Sequence, residues 1–320
     1  MSPLSITRAL PADATTAALR ADVVQGLTRT PKQLPPKWFY DARGSELFEE
    51  ITTLPEYYPT RAEREILRAR AARIAAATGA HTLIELGSGS SDKTRHLIGA
   101  LPELHTYVPV DVSESALTAA GEALLAEYPG LTVHALVADF QRGIPLPAVP
   151  GPRLLAFLGG TIGNLLPRER SVFLRAVHGL LSPGDALLLG TDLVKDEATL
   201  VAAYDDARGV TAAFDKNVLQ VVNRELGADF DPADFAHIAL WDAGNEWIEM
   251  RLRARRDLTV KIPGVDLAVT FAAGEELRTE VSAKFRESGV RAELAAAGLT
   301  LAHWWTDDKD RFALSLAFRD

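Results

Sequence analysis

Between residue 61 and about residue 195, short apolar runs alternate with helical patterns, an order that restricts this stretch to parallel strands joined by crossover helices. The strand-like runs are TLIEL (82–86), YVPVDV (107–112), LTVHALVADF (131–140), RLLAFLGG (153–160) and ALLLGTDLV (186–194). The helical stretches carry their own stops. EREILRARAARIAAAT ends at Gly79, ESALTAAGEALLAEY at Pro129-Gly130, and RERSVFLRAVHGLL at the turn Ser182-Pro183-Gly184-Asp185. Thr60 and Glu63 have the spacing of a capping box at the start of the first helix.

The alternation stops near residue 197. AFDKNVLQVVNREL reads as a helix, and AHIALW, EWIEMRLRA, LTVKI and TEVSAKF read as β segments. A helix over VRAELAAAGL and an antiparallel pair from TLAHWWTD and FALSLAFR follow. With 320 residues there is room for two lobes. The expected architecture is α/β, with a seven-stranded Rossmann-like domain of the class I S-adenosylmethionine (SAM) methyltransferase type over 61–196 and 286–320. A second, α+β substrate-binding domain is expected over 1–60 and 197–285, above the strand C-termini where open α/β sheets bind ligands.

TLIELGSGSSDKT (82–94) joins a strand, a glycine turn and a prospective helix, a unit that brings backbone N–H groups close to a ligand. The dinucleotide fingerprint G-x-G-x-x-G is incomplete, because Asp92 stands where the third glycine belongs. An acid at the strand end before G-S-G is closer to the first motif of SAM methyltransferases. Glu85 with Gly87, then Asp111, then Asp139-Phe140 fall at successive strand ends, which converge when strands run parallel. Asp111, 24 positions after Gly87, can accept both ribose hydroxyls, and Asp139 can accept from the adenine amino group with Phe140 bordering the ring. A ribose acid suits NAD as well, so the preference for SAM rests on the missing glycine and on Asp139-Phe140.

A net charge of -9 argues against a nucleic-acid partner, which needs clustered cations. The absence of cysteine removes disulfides and thiolate catalysis, and the seven histidines show no metal-ligand pairing, so no metal is expected. The N-terminal residues lack a signal-peptide core, and no apolar run approaches the ~20 residues of a membrane span. A cytoplasmic monomer acting on a small molecule is the expectation.

PKWFYD, LPEYYPTRAE, ELGSGSSDKT, GGTIGN, LLLGTDLVKD, AYDDARGVTAAFDKNVL, NRELGADFD and EVSAKFR together resemble the bacterial L-histidine Nα-methyltransferases of ergothioneine biosynthesis, over nearly the whole chain. That family transfers three methyl groups from SAM to the histidine α-amine, giving hercynine and S-adenosylhomocysteine. Carried over position by position, the resemblance puts Tyr40, Gly87, Lys93, Asp111, Asp139 and Phe140 around SAM. It puts Tyr57, Asn164 and Tyr204 at the amino and carboxylate end of the substrate, and Glu280 and Ser282 on the imidazole. Phe48, Thr161, Phe214 and Met250 would line the pocket, with Tyr40 and Thr161 positioning the reacting groups. Two departures stand out: Gly160 replaces the family's usual serine, and Ala283 its usual cysteine.

Methyl transfer from a sulfonium is an in-line displacement, so alignment of a neutral amine can supply most of the acceleration without a strong general base. Glu280 and Ser282, two apart, share a face if they lie on a strand. Blander readings stand beside these: Met250 as core, Tyr57-Tyr58-Pro59 as a packed turn, Lys93 as a solvated helix residue, Asn164 as the cap of the helix near 167. Trp304 and Trp305 are read as sheet packing. The rival functions are Nα-methylation of another aromatic amino acid, such as a tryptophan derivative, and a noncatalytic SAM-binding module.

Overall fold

All five expected parallel strands form, at Thr82–Leu86, Thr106–Asp111, Thr132–Val137, Arg153–Phe157 and Ala186–Asp192. Every residue of Thr82–Leu86 and Ala186–Asp192 is buried, as near-continuous apolar runs in parallel sheets are. These strands belong to a computed structural model that describes residues 3–9, 13–140 and 143–319. The chain divides into two units, one of Met1–Pro11, Pro59–Leu193 and Phe285–Asp320, the other of Ala12–Tyr58 and Val194–Lys284.

Among the described residues the sheet of the first unit has eight strands, one more than expected. Its order is Leu4–Arg8, Thr132–Val137, Thr106–Asp111, Thr82–Leu86, Arg153–Phe157, Ala186–Asp192, Phe312–Arg319 and Leu299–Thr306. Phe312–Arg319 runs antiparallel to Ala186–Asp192, as expected of the final strand. The addition is Leu4–Arg8, placed by expectation in the other lobe, which pairs in parallel with Thr132–Val137. Its Leu4 side chain packs where a Cβ on Gly121 would stand, 2.9 Å away, so that glycine admits the edge strand.

The capping box expected at Thr60–Glu63 does not form. The helix begins at Pro59, and Glu63 is fully buried with its carboxylate on Lys93 and on the Gly159 N–H. Tertiary partners thus took the side chain that spacing alone assigned to the helix end.

In the second unit, strands Lys32–Gln33, Glu276–Ala283, Trp247–Ala254 and Phe235–Asp242 form one sheet in that order, and Leu258–Ile262 pairs with Leu267–Phe271 as a hairpin. Phe39, Phe214, Val218, Val222, Phe235, Ile248, Met250 and Leu252 are among its core residues. Helix Ala42–Thr53 is tied to helix Val210–Leu226 through Asp41. Its Oδ1 accepts from the Gly44 N–H at 2.7 Å and from Asn217 Nδ2 at 2.7 Å, and its Oδ2 from Arg224 at 2.7 Å. A Cβ on Gly44 would overlap the carbonyl oxygen of Phe39, so only glycine permits this approach. The consequence is a fixed spacing between Tyr40, Phe48 and Phe214, all three expected at the site.

Candidate active site

In the first unit the strand-end residues gather as the parallel order requires. The glycine turn folds back on the neighbouring strand: Gly87 and Ser88 donate their N–H groups to Val110 O, and Gly89 donates to Asp111 Oδ2 at 3.0 Å. Asp111 Oδ1 accepts from the Ser113 N–H at 3.0 Å, and a carboxylate with about four lone-pair sites retains capacity for a diol. Space above the turn is open: a Cβ on Gly87 would meet only Phe140 Cε1, at 3.9 Å, and one on Gly89 would meet nothing within 4 Å. Ser88 Oγ is buried with no hydrogen-bond partner among the described residues. Open glycines beside an aromatic ring, an acid at the next strand end and an orphaned hydroxyl fit an adenosine-bearing ligand. Phe140 is itself held edge-on by Phe157 at 5.2 Å and Phe173 at 5.9 Å.

Glu85 does not share the role its strand-end position suggested. Its buried carboxylate accepts from Thr94 Oγ1 at 2.6 Å and from the Tyr107 hydroxyl at 2.5 Å, so it braces the turn from below. Burial pushes its carboxyl up to about 7, against the hydrogen bonds of Thr94 and Tyr107 and the charge of Lys93. Lys93 is no solvated helix residue. Its ammonium is paired with Glu63, whose other oxygen accepts from the Gly159 N–H at 2.7 Å. That bridge ties the glycine turn to the Gly159-Gly160 turn, which runs into the short helix Thr161–Asn164. Thr161 Oγ1 donates to Leu158 O at 3.1 Å. Asn164 is not the cap of the next helix. That helix is Pro167–Leu180, and the N–H of its N-cap residue, Leu166, is covered by Glu169 at 2.7 Å.

In the second unit the expected aromatic residues form one contiguous cluster. Tyr40 meets Phe48 at 5.5 Å and Phe214 at 5.3 Å, Phe48 meets Tyr57 at 6.1 Å, and Tyr57 meets Tyr204 at 6.4 Å, all edge to face. Tyr40 is 44% exposed, the most open member. Glu280 and Ser282 lie on strand Glu276–Ala283 opposite Met250 and Ile248 respectively, hence on one face, beyond a register shift between Arg278 and Glu280. Met250 is fully buried in the core, as its alternation predicts, and is Glu280's direct cross-strand neighbour. The Ser282 hydroxyl lies 2.7 Å from the Tyr204 hydroxyl.

Two groups here escaped sequence reasoning. Lys284, 4% exposed, donates from Nζ to Ser282 Oγ at 2.8 Å and to the Tyr204 hydroxyl at 2.9 Å. The pattern E-x-S-x-K at 280–284 carried the signal, since it continues the same alternation. His237 and Asp215 pair at 2.7 Å, both buried, from a strand and a helix whose contact no spacing encodes. Within the Lys284 trio the ammonium occupies both hydroxyl oxygens, and one hydroxyl proton serves the bond between them. The second hydroxyl proton is not used inside the trio.

Comparison with known proteins places the chain in a family. The model of a family described as "Histidine-specific methyltransferase, SAM-dependent" matches residues 19–319. A histidine N-alpha-methyltransferase of Mycolicibacterium smegmatis is 57% identical over 319 residues, 99% of each chain. One of Mycobacterium tuberculosis is 56% identical over 317 residues, 98% of this chain and 99% of that one. An L-tryptophan methyltransferase of Psilocybe serbica is 28% identical over 336 aligned residues, 93% of this chain and 92% of that one.

Proposed function

The chain belongs to the family of histidine-specific, SAM-dependent methyltransferases, and from that premise we propose that it methylates the α-amine of free L-histidine three times to give hercynine, the opening step of ergothioneine biosynthesis. When bound, SAM supplies an electrophilic sulfonium methyl group and leaves as S-adenosylhomocysteine. In this reading Gly87, Asp111, Asp139 and Phe140 hold it, while Lys93, through Glu63, holds the two turns in register.

The observation that carries the substrate assignment is the polar strip Glu280, Ser282, Lys284 set against the aromatic cluster. A carboxylate accepts an imidazole N–H and tolerates the charged ring, and Ser282 two residues on addresses the same ligand face. Lys284 polarises the Ser282 and Tyr204 hydroxyls toward an acceptor. No side chain is assigned as general base, because an α-amine titrating near ~8 or somewhat above reaches the neutral form without one. Tyr40 and Thr161 position, and Tyr57 and Asn164 address the amine and carboxylate. Each methylation enlarges a cation, and faces such as those of Tyr40, Phe48 and Phe214 attract such ions by roughly 0.5 to 2 kcal/mol. The enzyme is read as a cytoplasmic monomer.

A tryptophan-type acceptor would leave the Glu280 carboxylate against an apolar ring, a costly arrangement unless the indole N–H reaches it. Incubation of the purified protein with SAM and each amino acid separately, followed by mass spectrometry, tests the proposal. Trimethylation confined to histidine supports it. Methylation of another amino acid displaces the pocket assignment, and SAM binding without any product leaves a noncatalytic module.

A further inference from the structure

His237 sits on strand Phe235–Asp242 with its ring between two acceptors. Nδ1 is 2.7 Å from Asp215 Oδ2, and Nε2 is 2.8 Å from the main-chain oxygen of Tyr204. A carbonyl only accepts, so Nε2 carries a hydrogen. Were Nδ1 bare, its lone pair would face those of the carboxylate, so a second proton lies between the ring and Asp215. Asp215 is fully buried and its Oδ1 has no hydrogen-bond partner among the described residues. The shared proton therefore also offsets a charge that burial penalises.

Tyr204 is the last residue of helix Glu197–Tyr204, and carbonyls at a helix C-terminus lack intrahelical partners and favour a cation. The same residue sends its hydroxyl to Ser282 and Lys284. The groups facing the ring are few. Asp215 comes from helix Val210–Leu226, Asp205 stands 4.0 Å from Nε2 in the turn after Tyr204, and Lys216 also lies in the field of Asp215. The Tyr204 phenol points to Ser282, and Asp206 is engaged by the Val210 and Thr211 N–H groups. Strand Trp247–Ala254 presents Leu252 opposite His237, with Ile248 and Met250 on the same face and no charge among them. Burial alone would lower the ring pKa. The hydrogen bond and charge of Asp215 outweigh it, so the ring holds its proton above the ordinary histidine range.

We infer that His237 is a positioning residue for histidine binding: it pins the Tyr204 carbonyl while sharing a proton with Asp215, and it releases Tyr204 when that proton is lost. The inference rests on the reading that Tyr204 and Ser282 contact the substrate. Loss of the proton leaves either a lone pair against the carboxylate or, after a tautomer change, a lone pair against the Tyr204 carbonyl. Both outcomes displace the helix end that carries the phenol. Asparagine at 215 has a different effect: its amide donates to Nδ1, so neutral His237 keeps its Nε2–H on Tyr204 at any alkaline pH.

The test measures KM for histidine and Kd for SAM from pH 6.5 to 10 in the wild-type chain and in Asp215→Asn. Ionisation of the free amino acid cancels in the ratio at each pH. The expected result is equal KM near neutrality and a wild-type KM that rises to about tenfold above the variant on the alkaline side, the scale of one charge-assisted hydrogen bond, with SAM affinity unchanged. A ratio independent of pH, or parallel changes in SAM binding, overturns the inference. Nitrogen NMR of the wild-type ring supplies a second measurement that needs no variant: both nitrogens protonated at pH 7 is expected, and a neutral tautomer there overturns it. Tyr204→Phe separates the two levels. If it leaves KM for histidine unchanged, the site reading falls and takes the inference with it. If it raises KM while the pH ratio stays flat, the inference falls alone.

Discussion

The Ser282 and Tyr204 hydroxyls lie 2.7 Å apart, and the buried Lys284 ammonium donates to both oxygens. Two hydroxyls held by one cation are fixed relative to each other, with a geometry that comes from strand Glu276–Ala283 and the end of helix Glu197–Tyr204.

Ser282→Ala removes one member of this trio. KM for histidine should rise about tenfold with a smaller fall in kcat, the scale of one charge-assisted hydrogen bond. Calorimetry should find SAM binding unaltered, and an equal loss of SAM affinity would move the trio out of the histidine site.

Glu280→Ala takes away the group assigned to the imidazole. Histidine kcat/KM should drop by roughly 100-fold, as for a charged hydrogen-bond acceptor. Glu280→Gln keeps an acceptor and should retain part of the activity. Calorimetry of SAM binding checks the assignment, since cofactor affinity should not fall with it.

Glu63→Ala leaves Lys93 and the Gly159 N–H without their partner in a fully buried position. Stability should fall by about 1 to 3 kcal/mol, the cost of leaving buried hydrogen-bond donors unpaired, since the Lys93 left behind is only partly buried. Denaturant unfolding measures it, and Glu63→Gln, which still accepts from Gly159, should lose less.

Gly160 has φ +70°, and a Cβ there would stand 3.4 Å from Phe312 Cε2. Gly160→Ser should cost about 1 to 2 kcal/mol for the left-handed backbone. An unchanged melting temperature would show that the turn relaxes to accommodate it.

Glu85 titrates at about 7 in the folded chain, above the ordinary carboxylate range. A raised folded value means its contribution is fully present below the unfolded pKa and is lost as pH rises through about 7. Melting temperatures of the wild type should therefore decline between about pH 5 and pH 8 relative to Glu85→Gln, which has no such proton to lose. Parallel profiles would show that Glu85 is already ionised across this range.

Much of the first unit was legible because burial on both faces of a parallel sheet writes itself as uninterrupted apolar runs. TLIEL became Thr82–Leu86 without adjustment, and the other four runs shifted by only a few residues at their ends. The edge strand Leu4–Arg8 escaped because LSITR is short and half exposed, and its pairing with Thr132–Val137 spans more than a hundred residues of chain. The aromatic cluster was named from family resemblance, but its closeness depends on Asp41, Asn217 and Gly44 joining two helices.

By itself the sequence determined the parallel alternation, the glycine turn, the acids at strand ends and the shared face of Glu280 and Ser282, because period and strand-end position follow from local backbone geometry. Only the tertiary structure decided which charges are buried and what they meet. Glu63 left its helix end for Lys93 and Gly159, Glu85 turned inward to Thr94 and Tyr107, and His237 found Asp215 and the Tyr204 carbonyl. A buried polar group must be satisfied by whatever the packing brings to it, and that partner is set by long-range contact rather than by spacing along the chain.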